Sequence, residues 1–211
     1  MRFIALIDYG MGNLLSVSKA LEYAGGKVRL VRTPAEAEGA SGLVLPGVGA
    51  FGDGMAHLEE AGFVPFLREK AASGLPFLGI CLGMQMLLDS SEESPGVRGL
   101  SIIPGKVLRF PEAGLKVPQI GWNSVVPVGE NPFLKGIAKD AFFYFVHSYY
   151  VVPDHPEDTA AVCHYMIDFA AAVRRGNLFA SQFHPEKSQE CGLTILRNFI
   201  ELCGKGKDEP C

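Results

Sequence analysis

The segment LPFLGICLGMQ, residues 75–85, joins an apolar run to a cysteine that stands between two closely spaced glycines. The apolar run predicts a buried strand, and residues 82–88 predict a helix that begins directly after Cys81. A sharp turn from strand to helix lifts the cysteine side chain out of the sheet, and a helix N-terminus favours thiolate over thiol. The turn also leaves backbone N–H groups, among them that of Leu82, available to a developing oxyanion. The segment therefore predicts a nucleophilic cysteine at a nucleophile elbow.

The sequence before this turn alternates between strand and helix patterns. Strands are predicted at residues 3–7, 28–31 and 43–45, and helices at residues 14–24, 53–58 and 64–72. Asn13 and Asp53 are the predicted N-caps of the first two helices. A βαβα order of this kind predicts an α/β fold, with an open and mostly parallel sheet and helices on both faces. Ligands of such sheets bind at the carboxyl ends of the strands.

From residue 99 to residue 180 the pattern changes to short strands joined by turns. The predicted strands are at residues 102–103, 107–108, 125–126, 142–146, 149–152, 160–163 and 169–173. Their spacing predicts antiparallel strands appended to the parallel sheet. A last strand at 178–183 and a helix at 188–202 complete a single domain, predicted over residues 1–203. Residues 204–211 are predicted to form a solvated tail.

Composition limits the classes of function that the chain can serve. Its 211 residues favour one domain, and a net charge of −4 gives no basic surface for nucleic acid. The apolar runs are too short for a membrane span or a signal peptide, so no membrane association is expected. Five cysteines without paired spacing argue against a disulfide framework and favour a cytoplasmic location. Residues 8–16 fit neither a P-loop nor the G-x-G-x-x-G pattern, so no nucleotide site is expected.

A nucleophilic cysteine needs a base, and the segment SQFHPEKS at residues 181–188 supplies the best candidate. His184 follows a predicted strand, at the edge of the sheet where the elbow opens. Glu186 lies two residues further, so in an extended segment its side chain points the same way. A carboxylate beside a histidine fixes the ring tautomer and supports the imidazolium. Cys81, His184 and Glu186 together predict a catalytic triad.

A glycine-rich loop follows the strand predicted at residues 43–45. Its sequence, PGVGAFGDG at residues 46–54, allows backbone N–H groups to approach a ligand closely. Amides around Gly47, Val48 and Gly49 are therefore predicted to serve as oxyanion donors beside that of Leu82. The alternative is a flexible turn that leads only to a helix cap.

Three of these motifs together resemble the class I, triad-type glutamine amidotransferases. They are GICLGMQ at residues 79–85, PGVG at 46–49 and QFHPE at 182–186. Further segments are similar to the glutaminase subunits of imidazole glycerol phosphate synthase, namely IDYGMGNL at 7–14, PQIGWN at 118–123, YFVHSY at 144–149 and PEKS at 185–188. The resemblance spans residues 3–202 and implies a flavodoxin-like sheet of the class I amidotransferase type.

The resemblance implies hydrolysis of glutamine to glutamate and ammonia without a cofactor. Cys81 would attack the side-chain amide, His184 would transfer protons, and Glu186 would orient His184. The implied oxyanion residues are Gly47, Val48, Gly49 and Leu82. The implied substrate-binding residues are Gln85, His147, Ser148 and Tyr149.

A partner is also implied by the resemblance. Ammonia would pass through a channel to a (β/α)8 cyclase subunit in a heterodimer, and there react with a ribulosyl aminoimidazole carboxamide nucleotide in histidine biosynthesis. The implied interface residues are Asn13, Trp122, Tyr144 and Lys187. The alternatives are an ordinary, partly buried aromatic for Trp122 and a solvated side chain for Lys187. The isolated chain is expected to hydrolyse glutamine slowly until the cyclase holds its own ligand.

Three other functions fit parts of the sequence. The first is a glutaminase subunit that serves anthranilate or pyridoxal phosphate synthesis, which would share the triad but not the segments at 8–14 and 118–123. The second is a cysteine hydrolase of related fold, which has no need for the glycine-rich loop and the His-Pro-Glu segment together. The third is a non-enzymatic partner subunit, against which the complete triad argues.

Overall fold

Strands and helices alternate through the first half of the chain. The computed structural model describes residues 2–112 and 114–205. Strands β1 to β4 comprise Ile4–Ile7, Val28–Val31, Gly42–Leu45 and Phe77–Ile80. Helices α1 to α5 comprise Leu14–Tyr23, Pro34–Ala37, Phe51–Glu60, Phe63–Ala72 and Leu82–Gln85.

The second half consists mostly of strands and ends in a long helix. Strands β5 to β12 comprise Ser90–Ser91, Gly105–Arg109, Gln119–Pro127, Ala141–His147, Tyr149–Pro153, Thr159–Tyr165, Ile167–Arg175 and Leu178–Ser181. Helix α6 is Gln189–Lys205, and short 3₁₀ turns occur at Pro132–Leu134, Pro156–Asp158 and Pro185–Lys187. Among the described residues, no helix is long and apolar enough to cross a bilayer.

The parallel part of the sheet has the strand order β2-β1-β3-β4-β12. This is the flavodoxin-like order, in which the first strand lies between the second and the third. Antiparallel pairing continues from β12 through β11, β10 and β7 to β8, while β9 and β6 branch from β11. The predicted α/β class with appended antiparallel strands is confirmed.

Two apolar cores lie on opposite faces of the parallel strands. Successive residues of β1 point to opposite cores, so Leu6 belongs to one and Ile7 to the other. Helices α1 and α6 cover the first core with Val17, Leu21, Ile195, Leu196 and Phe199. Helices α3 and α4 cover the second core with Met55, Leu58, Phe66 and Leu67. Because both faces are covered, the working edge is left at the carboxyl ends of the strands.

The predicted cap of the first helix is confirmed, and that of the second predicted helix is wrong. Asn13 caps α1 through its side-chain oxygen. Asp53 caps nothing, because α3 already begins at Phe51. The Phe51 amide donates at 2.7 Å to the carboxylate of Glu93, which is remote in sequence. No local pattern reveals a cap supplied by another part of the chain.

The helix that follows Cys81 is shorter than the sequence predicts. It ends at Gln85 rather than at residue 88, so α5 is a single turn. The next residues, Met86, Leu87 and Leu88, are fully buried and lead towards β5. Burial on all sides, rather than a helix face, explains this apolar run.

One predicted strand is absent, and the predicted end of the last helix is wrong. Residues 102–103 form no strand, because both amides donate to the carbonyl of Leu87 instead of to a neighbouring strand. The final helix includes Gly204 and Lys205, so the predicted tail does not begin at 204. Residues 206–211 lie outside the described residues.

Gly83 allows the short helix α5 to sit against strand β3. A Cβ atom on Gly83 would collide with the carbonyl oxygen of Leu45, the last residue of β3. This oxygen belongs to the backbone of a buried strand and cannot rotate away. The elbow therefore depends on glycine at this position.

We expect the Gly83→Ala substitution to lower the free energy of unfolding by about 3 kcal/mol or more, since overpacking against backbone cannot relax through a rotamer change. Urea denaturation followed by circular dichroism measures the loss. Gly204→Ala is the matched control, because the space around Gly204 within α6 is open. Equal stability of the two variants would contradict the close approach of α5 to β3.

Candidate active site

The carboxyl ends of the parallel strands meet at one edge of the sheet and carry the predicted catalytic residues. Strand β4 ends at Ile80, so Cys81 is the first residue beyond it. The parallel register pairs Ile80 with Ser181, the last residue of β12. The segment that contains His184 therefore leaves the sheet next to Cys81. Two regions about a hundred residues apart in sequence are brought together by this pairing.

Cys81 stands in a strained turn, as the elbow requires. Its backbone has φ 54° and ψ −108°, a conformation that residues with a Cβ atom rarely adopt. Strain of this kind costs on the order of 1–3 kcal/mol and persists only where the surroundings enforce it. The side chain is held beneath the surface, with 7% of the residue exposed. The predicted elbow is therefore present, although its helix is a single turn.

The predicted base and its orienting carboxylate form a buried pair. Nδ1 of His184 lies 2.8 Å from Oε1 of Glu186, and their side chains are 2% and 1% exposed. Nε2 of His184 and Oε2 of Glu186 have no hydrogen bond of standard geometry within the described residues. Burial opposes the charged imidazolium, but contacts with Cys81 and Glu186 outweigh it and raise the pKa of His184 to about 9. The contacts with Cys81 and Glu186 therefore favour the imidazolium form of His184.

Strand β8 fixes the segment that bears the base. The His184 amide donates to the Tyr144 carbonyl at 3.0 Å, and the Tyr144 amide donates to the Ser188 hydroxyl at 3.0 Å. That hydroxyl in turn donates to the His184 carbonyl at 2.7 Å. The backbone of the base is thus held from both sides by one residue of β8.

A cleft of about 350 Å³ opens over the cysteine. Its lining includes predicted catalytic, oxyanion and substrate-binding residues. The catalytic ones are Cys81 and His184, the oxyanion ones are Val48, Gly49 and Leu82, and the substrate-binding ones are Gln85, His147, Ser148 and Tyr149. Glu186 is not in the lining, because it lies behind His184. The volume is in the range of small-molecule sites. Within the described part of the chain, no cluster of His, Cys, Asp and Glu is arranged to hold a metal ion.

The predicted oxyanion segment borders the cleft at two of its three residues. Val48 and Gly49 line it, and within the described residues their amides, like that of Leu82, donate no hydrogen bond. Gly47 does not line the cleft. A Cβ atom there would lie 2.8 Å from both Leu82 Cβ and the Tyr9 hydroxyl, so glycine is needed for packing. The Tyr9 hydroxyl donates to the Pro46 carbonyl at 2.8 Å and anchors the start of the segment.

His147 lines the cleft with both ring nitrogens already engaged. Nδ1 lies 2.8 Å from the Tyr149 carbonyl, and Nε2 lies 2.8 Å from the side-chain amide of Gln119. Burial lowers the pKa of His147 to about 4, so the ring is neutral at neutral pH. The ring therefore shapes the cleft and holds Tyr149, and it offers no free nitrogen to a ligand.

Glu93 is a cleft residue that the sequence does not reveal. Among the described residues that line the cleft, Glu93 is the one with a carboxylate side chain. Its Oε2 atom accepts from the Phe51 amide, which leaves Oε1 for a ligand. The segment SSEES around it resembles an ordinary polar loop, and nothing local distinguishes Glu93 from Glu92.

Three of the predicted interface residues lie together on the surface. Trp122 on β7 is 46% exposed, and its ring meets that of Tyr144 on β8 edge to face, with centroids 6.1 Å apart. Nζ of Lys187 lies 5.7 Å from the centroid of the Tyr144 ring. Asn13 is the N-cap of α1, the helix that packs beside the 185–187 turn. Lys187 is exposed but lies beside the Tyr144 ring, and the Trp122 ring is about half exposed.

Comparisons with known proteins agree with this geometry. The family model "Glutamine amidotransferase class-I" matches residues 5–202. The chain is 52% identical over 202 residues to the "Imidazole glycerol phosphate synthase subunit HisH" of Moorella thermoacetica, and the match covers 96% of each protein. It is 50% identical to the protein of the same name from Methanosarcina mazei, with 96% of this chain and 100% of that one covered.

Solved structures show the same fold at low sequence identity. A chain in the structure of PurLQS from Thermotoga maritima superposes with a TM-score of 0.74 at 18% identity, covering 95% of this chain and 97% of that one. A glutamine amidotransferase from the same organism superposes with a TM-score of 0.65 at 18% identity, covering 97% of this chain and 98% of that one. These likenesses support the fold class alone.

We expect the pKa of His184 to fall by about one unit or more in Cys81→Ala, because the negative sulfur that stabilises the imidazolium is lost. The wild-type pKa of about 9 lies above the unfolded value. Protonation of His184 therefore stabilises the fold fully below about pH 6.5, and this contribution disappears as the pH rises through about 9. NMR titration of the imidazole rings measures both proteins. His147, with a pKa near 4, is the internal control. An unchanged pKa of His184 in Cys81→Ala would contradict the coupling between His184 and the Cys81 sulfur.

Proposed function

The chain belongs to the class I glutamine amidotransferase family, in the group of the HisH subunits of imidazole glycerol phosphate synthase, and we propose that it hydrolyses glutamine for such a synthase. It releases glutamate and passes ammonia to a (β/α)8 cyclase subunit. That subunit makes imidazole glycerol phosphate and aminoimidazole carboxamide ribotide in histidine biosynthesis. The observation that supports this most is the Cys81–His184–Glu186 arrangement in a cleft of small-molecule size.

The first half of the reaction forms a thioester. The Cys81 thiolate attacks the side-chain amide carbon of glutamine, and the carbonyl oxygen becomes an oxyanion. The free amides of Leu82 and of the Val48–Gly49 stretch are the donors proposed for that oxyanion. The C–N bond then breaks, and Nε2 of His184 gives its proton to the departing nitrogen, which leaves as ammonia.

The second half releases glutamate. His184, now neutral, takes a proton from water, and the resulting hydroxide attacks the thioester carbon. The C–S bond breaks, which restores the Cys81 thiolate and the His184 imidazolium. Glu186 stays ionised throughout and holds the Nδ1 proton of His184, so the ring presents Nε2 to the reaction.

Recognition of glutamine rests on the charge and the free acceptors of the cleft. We assign the α-ammonium group to Glu93, whose Oε1 atom is not used by the Phe51 amide. The Ser148 hydroxyl and the amides near Tyr149 provide neutral donors for the α-carboxylate. Gln85 uses its Nε2 atom inside the protein, so its Oε1 atom is the one available to the substrate amide.

The proposed partner surface is formed by β7 and β8, and β8 is hydrogen-bonded to the segment that bears the base. Exposed apolar side chains of β7 and β8, Ile120, Trp122 and Phe142, share one face with Tyr144. Tyr144 also holds the backbone of His184, directly through its carbonyl and through the Ser188 hydroxyl from its amide. A cyclase docked on this face would therefore press on the residue that fixes the base. Trp is a frequent anchor of such interfaces.

Activation by the partner fits the oxyanion segment. Gly49 has φ 99°, which only glycine adopts readily, and Val48 beside it is 41% exposed. A segment of this kind permits two backbone states while Tyr9 keeps its start in place. We expect slow hydrolysis by the isolated chain and fast hydrolysis in the complex. The high identity to HisH subunits weighs against the anthranilate, pyridoxal phosphate and cysteine hydrolase alternatives.

The Cys81→Ala variant should lose glutamine-dependent synthesis by a factor of about 10⁴ or more, because no thioester forms. Synthesis from added ammonium salts should remain, since the cyclase itself is intact. Both are measured on the chain mixed with a (β/α)8 cyclase subunit, with glutamate released by the wild-type chain recorded with and without the nucleotide substrate. Loss of both activities in a complex that still assembles would contradict the role of Cys81. Glutamate release at full rate from the isolated chain would contradict activation by the partner.

Glu93→Gln should raise KM for glutamine about 10- to 100-fold and leave kcat nearly unchanged, because it removes the charge that faces the α-ammonium group. The amide oxygen still accepts from the Phe51 amide, so the cap of α3 is retained. Glu92→Gln is the matched control, since Glu92 accepts from the Arg109 amide outside the cleft. A KM for Glu93→Gln no higher than that of the control would rule out the assignment.

A further inference from the structure

Gln182 is a buried residue that lies against the nucleophile and that the mechanism above does not use. The register of β4 and β12 pairs Ile80 with Ser181, so the next residues, Cys81 and Gln182, are neighbours. The Gln182 residue is 0% exposed. Its Nε2 atom lies 3.6 Å from Cys81 Sγ, and its Oε1 atom lies 3.0 Å from Nε2 of Gln85.

A backbone carbonyl fixes which end of the Gln182 amide faces the sulfur. The Tyr149 carbonyl can only accept hydrogen bonds, so the Gln85 atom 3.1 Å from it must be the nitrogen. Nε2 of Gln85 also donates a hydrogen bond to the side-chain amide of Gln182. The Gln182 atom that accepts this bond must therefore be its oxygen, Oε1. The Gln182 nitrogen is then left to face Cys81 Sγ. His147 holds the Tyr149 carbonyl from the other side at 2.8 Å. The orientation follows from the hydrogen-bond network rather than from a choice between look-alike atoms.

We propose that Gln182 is a positioning residue that holds the Cys81 sulfur as a thiolate by donating an N–H group to it. The proposal rests on the proposed function in one respect, that Cys81 is the nucleophile. A hydrogen bond to a charged acceptor is stronger than one to a neutral acceptor, so the amide stabilises the thiolate more than the thiol. The sulfur loses its charge when the thioester forms and regains it on release. Gln182 therefore sets the fraction of ready nucleophile and leaves proton transfer to His184.

The need for this donor follows from the local structure. Helix α5 is a single turn, so it supplies little of the dipole that a longer helix would offer to a thiolate. Of the titratable groups around Cys81, His184 favours the thiolate, with Glu186 behind it. Tyr9 from the loop after β1 is neutral, since burial and then the charge of Cys81 raise its pKa. Glu93 and neutral His147 on the other walls of the cleft add no positive charge.

The test is the pH dependence of Cys81 alkylation by iodoacetamide in the full chain, followed by mass spectrometry of the peptide that contains Cys81. In Gln182→Met, which keeps the length of the side chain but has no donor, the midpoint should rise by about one pH unit. Alkylation below the midpoint should then slow about tenfold, and the plateau rate at high pH should stay within twofold. Gln182→Glu should raise the midpoint further, because a carboxylate faces the sulfur.

Gln119→Met is the matched control. Gln119 is a glutamine 3% exposed that bonds His147 and does not touch Cys81, so its loss should leave the midpoint in place. An unchanged midpoint in Gln182→Met, or the same shift in Gln119→Met, would overturn the proposal. If Gln182→Met does not fold, Gln182→Glu provides the test. An alkylation midpoint of Gln182→Glu at or below that of the wild type would then overturn the proposal. Failure of the proposed function is recognised separately, by alkylated Cys81 that still supports glutamine-dependent synthesis.

Discussion

The parallel pairing of β4 with β12 is the constraint on which the rest of the site depends. It joins Ile80 to Ser181 and so places Cys81, the proposed nucleophile, and the segment of His184, its proposed base, at one sheet edge. The Cys81 amide donates to the Ser181 carbonyl at 2.8 Å, which holds the strained turn against the neighbouring strand. A slip of one residue in this pairing would exchange the two faces of β12 and turn the following segment away. The strained backbone of the turn is therefore held in place by the buried strands on both sides of β4.

The surroundings of Cys81 divide its chemistry among separate parts of the chain. His184 couples to the sulfur and is the proposed proton carrier, while Glu186 holds the ring by a hydrogen bond from outside the cleft. Around them lies a neutral network in which the Tyr149 carbonyl receives both His147 and Gln85. Such a network orients side chains without adding charge to the cleft. Among the described residues that line the cleft, His184 is the one whose positive charge favours a thiolate at Cys81.

The same strands connect the site to the outer surface. The Tyr144 ring contacts Trp122 and Lys187, and its carbonyl accepts from the His184 amide. Its amide donates to the Ser188 hydroxyl, which donates in turn to the His184 carbonyl. A partner on that face would act on the base through one residue of β8. The oxyanion segment offers a second route, because Gly49 adopts a backbone conformation that it can leave at little cost.

The sequence alone determined the elements and residue types that local physics controls. Apolar runs predicted the parallel strands, Asn13 predicted a helix start, and the motifs around Cys81 and His184 predicted the nucleophile, its base and its carboxylate, because each depends on neighbours a few residues away. The tertiary structure decided what depends on contacts between distant segments. Those contacts include the cap of α3 by Glu93, the single-turn length of α5, and the filling of both nitrogens of His147. The orientation of Gln182 belongs to the same class, since it is fixed by a carbonyl on a strand that only folding brings near.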